Sequence, residues 1–262
     1  SFISLPTDAW MPVTRKLKPL VSDQVSAGFY YDLNKAYSFS VEGYYKTMDN
    51  LLEYRDGHTF TPSYLDWEDK LTAGEGRSYG AEFMVRKETG RTTGWIGYGL
   101  SWSDRQFEEL NQSKRFPARF DNRHKLNLSL RYAFNKKVSC FAVWNYHTGN
   151  HATVPTQLAA FPSLLDQEGK YYRNWWNSAS YVYAIPNNLT LPAYHRLDLG
   201  FDFRHVTKHG HERIWNLSIY NAYCHLNSMY VKVDYNEVTQ QFEAKNKGFI
   251  PIIPSFSYTI KF

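Results

Sequence analysis

The 262-residue chain lacks any continuous apolar run of about 18 residues, which excludes a transmembrane helix. Its first ten residues, SFISLPTDAW, also lack a basic segment followed by an apolar one, so they do not read as a secretory signal. The mean hydropathy of −0.55 is usual for a water-soluble protein. A membrane β-barrel would give the same result, because only every second residue of each of its strands faces lipid.

Cysteine is scarce, and the familiar catalytic motifs are missing. Cys140 and Cys224 form no CxxC or metal-ligand pattern. We find no phosphate-binding glycine loop, no zinc motif and no Ser-His-Asp order. The sequence therefore predicts no catalytic residue, no metal and no cofactor, and a protein that is not an enzyme. The net charge of +5 is mild and scattered, so no nucleic-acid partner is expected.

Aromatic residues are abundant, at 18% of the chain, with 21 Tyr, 17 Phe and 8 Trp. Aromatic side chains favour β-strands. They also favour membrane–water interfaces, where a ring has one dry and one wet side.

Alternation of apolar and polar residues is the main pattern in the chain. In the last eight residues, SFSYTIKF, every second residue is apolar, which is the strand period. The same alternation recurs in VSAGFYY, SFSVEGYYK, SYGAEFMVR, GWIGYGLSW, HKLNLSLRYAF, RLDLGFDFR and IWNLSIYNAY, whereas KVSCFAVWNYH is ambiguous in phase. We count about nine strands and no convincing amphipathic helix.

The connections between these strands alternate between short and long. The short connections are 32–35, 88–91, 134–137 and 205–211, and the long ones are 53–75, 107–121, 149–191 and 234–247. Short turns at one end and long loops at the other are typical of an outer-membrane barrel whose strands span about 9–11 residues. We expect the long loops to be extracellular, the C-terminus to be periplasmic, and Phe262 to lie in an aromatic girdle as the last residue of the barrel.

The ordered series of segments resembles a known family. LPTDAWMPVTRKLKPLVSDQVSAGFYYDL, YSFSVEGYYKTMDNLLEYRDG, GRSYGAEFMVRKETGRTTGWIGYGLSWSDRQF, FPARFDNRHKLNLSLRYAFNKK and YHRLDLGFDF are similar to the C-terminal half of the barrel of TonB-dependent outer-membrane receptors. The resemblance implies an all-β, antiparallel up-and-down transmembrane barrel of about 22 strands, with a plug domain inside it. Residues 1–262 would then be its last nine strands, with the plug and the first part of the barrel upstream.

The resemblance also implies a function. It is the active, TonB-dependent uptake of a scarce nutrient across the outer membrane: a siderophore, a glycan, a peptide or a vitamin. The implied partners are the upstream plug and barrel segments, the TonB complex and outer-membrane lipid, with a surface lipoprotein as a further candidate. Two other classes stay open on the residues: a soluble β-sandwich that binds carbohydrate, and an outer-membrane barrel enzyme.

Candidate ligand-binding residues crowd the longest loop. They are Tyr171, Tyr172, Arg173, Trp175, Trp176, Tyr181 and Tyr183. Aromatic rings that no core requires often mark a binding surface. The alternative is that these rings pack on one another and hold the loop in one shape.

Other charged clusters have structural interpretations. Loop 53–75 holds five candidate oxygen or nitrogen ligands, but their spacing is not that of an EF-hand: Asp56, His58, Asp66, Glu68 and Asp69. The spacing of His147, His151 and His195 supports no metal site. Asp121, Arg123 and His124 are interpreted as a salt-bridged strand entry.

Two predictions concern the strands themselves. The charges on their polar faces are Glu42, Lys46, Glu82, Arg86, Lys125, Arg131, Asp198, Asp202 and Arg204. Five of these should line the barrel wall and hydrogen-bond the plug: Glu42, Glu82, Arg86, Lys125 and Arg131. Cys140 and Cys224 should lie on strands separated by one other strand, roughly 9–10 Å apart. That separation exceeds the reach of a disulfide, so none is expected.

Overall fold

The computed structural model describes residues 14–55, 67–160, 179–208, 210–236, 238–239, 241–248 and 250–261. Its strands are β1 Val21–Asn34, β2 Tyr37–Tyr54, β3 Leu71–Lys87, β4 Thr92–Phe107, β5 Phe116–Pro117, β6 His124–Ala133, β7 Val138–His147, β8 His151–Ala152, β9 Gln157–Ala160, β10 Ala179–Val182, β11 Leu189–Thr190, β12 Tyr194–Val206, β13 Glu212–Tyr220, β14 Tyr230–Asn236, β15 Gln241–Lys247 and β16 Ile253–Lys261. Two short 3-10 turns cover Trp67–Lys70 and Asn111–Ser113.

Nine strands form one antiparallel sheet, called the wall sheet below. Its order is β1-β2-β3-β4-β6-β7-β12-β13-β16, and β5 is added beside β4. The order follows the chain, so each strand pairs with its neighbours in sequence by up-and-down hairpins. The prediction of about nine antiparallel strands is confirmed. The sheet is not closed, because β1 and β16 each pair on one side only.

The two faces of the wall sheet differ in chemistry, as the alternation predicted. Register places Phe29, Val41, Phe83 and Tyr98 side by side across the first four strands. Phe29 is 66% exposed and Phe83 is 44% exposed. In a soluble sandwich such a face would be buried by a second sheet. In the described part of the chain no second layer covers it. We call this side the apolar face and the other side the polar face.

Strand β7 resolves the segment whose phase was ambiguous. Cys140, Ala142 and Trp144 pair with Tyr132, Leu130 and Leu128, so they lie on the apolar face. Phe141 therefore lies on the polar face, where alternation alone would not place it. A Cβ atom on the neighbouring Gly200 would come within 2.4 Å of the Phe141 ring. Glycine at this position thus gives the ring the space that it occupies.

The connections separate into two ends, as predicted. One end, the short-turn end, carries the tight connections after β1, β3, β6 and β12, and the other, the long-loop end, carries the longer ones. β2, β3 and β4 have 18, 17 and 16 residues, which is longer than the 9–11 expected for a membrane crossing alone. They continue into the long-loop end past a bulge between Asp49 and Leu51, where Asn50 has φ 61°.

The long connections hold structure that the sequence did not reveal. Within the segments predicted as loops lie three two-stranded ribbons, β8 with β11, β9 with β10, and β14 with β15. The described buried apolar cluster also lies at this end and consists of Leu51, Phe107, Leu110 and Phe116. Cys140 and Cys224 are both free, as expected; Cys224 lies in the turn after β13 rather than on a strand.

Candidate functional site

A stem of paired strands supports the aromatic-rich loop. β8 pairs with β11, and β9 pairs with β10. The Asn188 side chain links the two segments between these ribbons. It accepts a hydrogen bond from the Val154 amide at 2.9 Å and donates one to the Val154 carbonyl at 3.1 Å. At the end of this ribbon Ala160 pairs with Ala179, so the two described residues that flank 161–178 lie side by side.

Buried polar side chains anchor the stem to the wall sheet. Asn122 donates to the Thr148 carbonyl at 2.8 Å and to Asn150 Oδ1 at 2.6 Å. Asp121 accepts from the Ser103 amide at 2.8 Å. Asp121 and Asn122 are buried, and these partners lie on β4 and in the connection between β7 and β8. Because a buried polar group is costly to leave unpaired, these bonds hold the loop bases in one arrangement.

The predicted ligand-binding residues fall mostly on the segment beyond the stem. Five of them lie outside the described residues: Tyr171, Tyr172, Arg173, Trp175 and Trp176. The backbone of Tyr181 lies on β10, opposite Leu158, and its side chain is outside the description. Tyr183 is half-buried just after β10. Their role in ligand binding stays a prediction. Phe262 likewise lies outside the described residues.

A second group of side chains lies on the polar face at the long-loop end. We call it the Arg196 cluster, and it consists of His147, Tyr194, Arg196, Asp198 and Tyr220. Arg196 donates to the Tyr194 and Tyr220 hydroxyls at 3.0 and 2.7 Å. It also pairs with Asp198 at 2.9 Å, and its guanidinium lies 4.1 Å from the centre of the Tyr220 ring. The His147 and Tyr194 rings stack at 4.9 Å.

The chemistry of this cluster suits recognition rather than reaction. The planar guanidinium can donate to planar oxygen acceptors, and the flanking rings offer stacking surfaces. The Asp198 carboxylate is itself held in place, because it accepts a hydrogen bond from the Asn221 amide at 2.9 Å. The alternation in YHRLD puts Tyr194, Arg196 and Asp198 on one strand face, which is the sequence signal for the group. The cluster itself was missed, since Tyr220 joins it from the next strand.

The three histidines considered for a metal site contact different partners. His147 stacks on Tyr194, His151 approaches Thr190 Oγ1 at 3.3 Å, and His195 stacks on His225 with ring centres 3.7 Å apart. Burial lowers the pKa of His151, against the opposing effect of Asp121. Within the described residues, no group of three or more His, Cys, Asp or Glu side chains could hold a metal ion.

The remaining charged candidates take part in local pairs. Asp69 pairs with Lys16 at 3.0 Å, whereas Asp56, His58 and Asp66 lie outside the described residues. The predicted salt-bridged strand entry is present, with Arg123 3.2 Å from Asp121. His124 is bonded separately, to the Tyr98 hydroxyl at 2.8 Å.

On the polar face of the wall sheet, charged side chains form ion pairs near the short-turn end, and the predicted lining residue Arg131 is among them. Arg131 lies 3.8 Å from Asp202, and Arg204 lies 2.7 Å from Glu212. Their contact with a plug stays a prediction.

These features define a class before any relative is considered. A one-layer antiparallel sheet with an exposed apolar face, a polar inner face and anchored long loops is the wall of a membrane β-barrel. The sequence profile described as "TonB dependent receptor-like, beta-barrel" matches residues 5–222. The chain therefore belongs to the TonB-dependent receptor β-barrel family.

Three solved structures share this fold. The ferripyoverdine receptor of Pseudomonas aeruginosa aligns with a TM-score of 0.56, 11% identity and 92% of this chain. The ferric-catecholate import receptor Fiu of Escherichia coli K12 aligns with a TM-score of 0.52, 13% identity and 94% of this chain. The FrpB iron transporter of Neisseria meningitidis aligns with a TM-score of 0.50 and 13% identity over 95% of this chain.

The alignments cover only part of those proteins. The chain spans 28% of Fiu, 27% of the ferripyoverdine receptor and 31% of FrpB. At these identities the likeness shows the fold alone. No curated protein sequence gives a significant match to the chain. Among the described residues, no helix is both long and apolar enough to cross a membrane.

Proposed function

We propose that this chain supplies wall and ligand-facing loops to an outer-membrane receptor that imports a scarce nutrient in a TonB-dependent way. The observation that carries the proposal is the two-sided wall sheet, whose apolar face is exposed while its polar face holds the Arg196 cluster below anchored loops. The apolar face suits lipid contact, and the polar face suits a hydrated lumen. The reading as a receptor, not an enzyme, rests on family membership and on the recognition chemistry of this cluster.

The orientation and partners belong to the same proposal. The long-loop end faces the outside of the cell, the short-turn end faces the periplasm, and the C-terminus is periplasmic. Upstream segments of the same protein complete the barrel and provide the plug, through which the TonB complex acts. Outer-membrane lipid surrounds the apolar face, and a surface lipoprotein is a candidate cap over the long loops.

The ligand is a siderophore, a glycan, a peptide or a vitamin, bound by the aromatic loop from Tyr171 to Tyr183 and by the Arg196 cluster. A ferric chelate is the first ligand to test, because two of the similar structures are described as ferric-catecholate and ferripyoverdine receptors. An anionic chelate would also suit a guanidinium flanked by phenol rings.

The experiment uses the complete receptor in cells with and without TonB. Uptake of radiolabelled iron chelates is expected to require both the receptor and TonB. Equal uptake in cells that lack TonB would contradict the proposal.

A pair of variants tests the binding role of the Arg196 cluster. Arg196→Ala should weaken chelate binding about ten-fold, the usual scale for the loss of one charge-assisted contact. Arg204→Ala is the matched control, since Arg204 lies on the same face of the same strand but pairs with Glu212 at the short-turn end. If the two substitutions weaken chelate binding equally, the Arg196 cluster is not part of the ligand-binding site.

A further inference from the structure

Two histidine rings meet at the long-loop end, where β12 begins and β13 ends. His195, the second residue of β12, stacks on His225 in the connection between β13 and β14, with ring centres 3.7 Å apart. Both residues are half-buried. Asn227 donates to the His195 carbonyl at 2.9 Å and accepts from the His195 amide at 3.0 Å. Asn221 makes the same two bonds to the backbone of His225, at 2.9 and 3.0 Å. While these bonds are kept, neither backbone can shift to separate the rings.

The Tyr223 hydroxyl links His195 to β7. It lies 2.9 Å from His195 Nδ1 and 3.2 Å from Trp144 Nε1. An indole N–H can only donate, so the Tyr223 oxygen accepts from Trp144 and its own hydrogen is available to the imidazole. A neutral His195 accepts that hydrogen at Nδ1. An imidazolium has hydrogen on both ring nitrogens, so it would donate to an oxygen that already accepts from Trp144, and the phenol hydrogen would lose its acceptor.

The surroundings of His195 do not favour a positive charge. Tyr146 on β7 lies opposite His195 in register. Arg196 and Asp198 pair with each other on the polar face of β12, whereas alternation puts His195 on the apolar face. The titratable groups of the connection at this point are Tyr223, Cys224 and His225. Two positive charges on rings 3.7 Å apart would repel each other, so protonation of both histidines opposes the stack as well as the bond from Tyr223.

We propose that His195, Tyr223 and His225 form a pH-sensitive latch, which fastens the connection between β13 and β14 to β12 at neutral pH and opens in acid. The connection leads into the β14–β15 ribbon, where the Met229 amide donates to the Lys247 carbonyl at 2.8 Å. Opening of the latch therefore loosens the attachment of this ribbon to the wall sheet. The latch is fully closed above about pH 6.5, the ordinary pKa of histidine, and opens as the pH falls below it. This behaviour does not depend on which nutrient is imported.

Hydrogen exchange of the full-length receptor, measured by mass spectrometry at about pH 7.5 and about pH 5, tests the latch on either side of the ordinary histidine pKa. After correction for intrinsic exchange rates, the protection of residues 221–229 should fall about ten-fold in acid, the effect of a one-unit pKa difference between the closed and open states. His225→Phe keeps a ring in the stack but removes its charge, so it should keep its protection at both pH values. Unchanged protection in wild type, or an equal fall in His225→Phe, would overturn the proposal.

A control on the same strand separates the latch from a general effect of acid. His205 lies on the same face of β12 at the short-turn end, so His205→Phe should leave the acid response of residues 221–229 as in wild type. Loss of the response in both variants would also contradict the latch. If His225→Phe does not fold, His195→Gln gives the same test, because its side-chain oxygen can accept from Tyr223 and the group does not titrate. An acid response that persists in His195→Gln would assign it to another group.

Discussion

The wall sheet and the long-loop end treat the same kind of side chain in opposite ways. On the wall sheet, Phe29 is 66% exposed and Phe256 is 63% exposed, whereas Phe107 at the long-loop end is 1% exposed. A hydrophobic residue is stabilised by any apolar surroundings, whether they are protein or lipid. The wall sheet leaves its apolar side chains exposed, and the long-loop end buries its own.

The two regions also satisfy their backbone groups differently. In the wall sheet, strand pairing supplies nearly all partners, and the side chains are free to vary. At the long-loop end, amide side chains such as Asn122 and Asn221 bind backbone groups of other connections. Single substitutions should therefore disturb the long-loop end more than the wall sheet.

The largest expected effect is from Phe107→Ala. Phe107 packs with Leu51, Leu110 and Phe116, and its ring stacks on Phe116 at 5.9 Å. Removing a fully buried ring costs about 3–5 kcal/mol. Hydrogen exchange in the connection between β4 and β6 should rise strongly. Phe83→Ala, on the apolar face, should leave that hydrogen exchange unchanged. If both substitutions raise it equally, the two regions do not differ in how they respond to the loss of a ring.

Asn221→Ala should come next. Asn221 is 1% exposed and has φ 55°. Its side chain donates to the carbonyls of His225 and Ile250 and accepts from the His225 amide. Loss of these bonds, with strain from alanine at positive φ, should cost about 2–4 kcal/mol. Limited proteolysis between β13 and β14 should then become faster.

Two further variants separate the causes of the destabilisation expected for Asn221→Ala. Asn221→Gly tolerates the backbone conformation but loses the bonds, so it should recover only part of the loss. Asn216→Ala, which removes a bond to Asp202 within the wall sheet, should not change cleavage in this connection. If Asn221→Gly behaves like wild type, the side-chain bonds contribute nothing.

The sequence predicted the wall sheet well because its signal is local. Alternation within each strand determines which residues share a face, and nine strands were found in that way. Alternation left the phase of β7 open, because one of its faces is not uniform: Phe141 lies on the polar face, where Gly200 on β12 leaves room for its ring.

The long-loop end depends on contacts between distant residues, which a single sequence does not display. Asn122 meets Asn150, and Arg196 meets Tyr220 from the next strand. The ribbons β8–β11 and β14–β15 lie in segments whose alternation is short or interrupted by turn residues. The stem and the Arg196 cluster were therefore missed, although YHRLD holds three of the five residues of the cluster.

A smaller effect should follow from lowering the pH, through His151. Burial lowers the pKa of His151 below its ordinary 6.5, so protonation favours the open state of the β8–β11 ribbon. The contribution of neutral His151 to the stability of this ribbon is fully present above pH 6.5 and is lost as the pH falls through the folded-state pKa. Hydrogen exchange at the ribbon should accelerate over that window. His151→Gln should abolish this pH dependence, and an unchanged profile would assign it to another group.

The smallest effect is expected in the exposed β14–β15 ribbon, at Glu243. A hydrogen bond from Asn236 at 2.7 Å, followed by Lys245 at 3.3 Å, lowers the pKa of this carboxyl below 4.5. A depressed folded-state pKa contributes stability above the unfolded value and loses it as the pH falls through the folded one. Because the group is exposed, Glu243→Gln should not measurably change the stability of the receptor. NMR titration of the Glu243 carboxyl should still give a midpoint below 4.5, and Asn236→Ala should raise that midpoint more than Lys245→Ala does. The reverse order would mean that the ion pair with Lys245, and not the hydrogen bond from Asn236, is the main cause of the lowered pKa of Glu243.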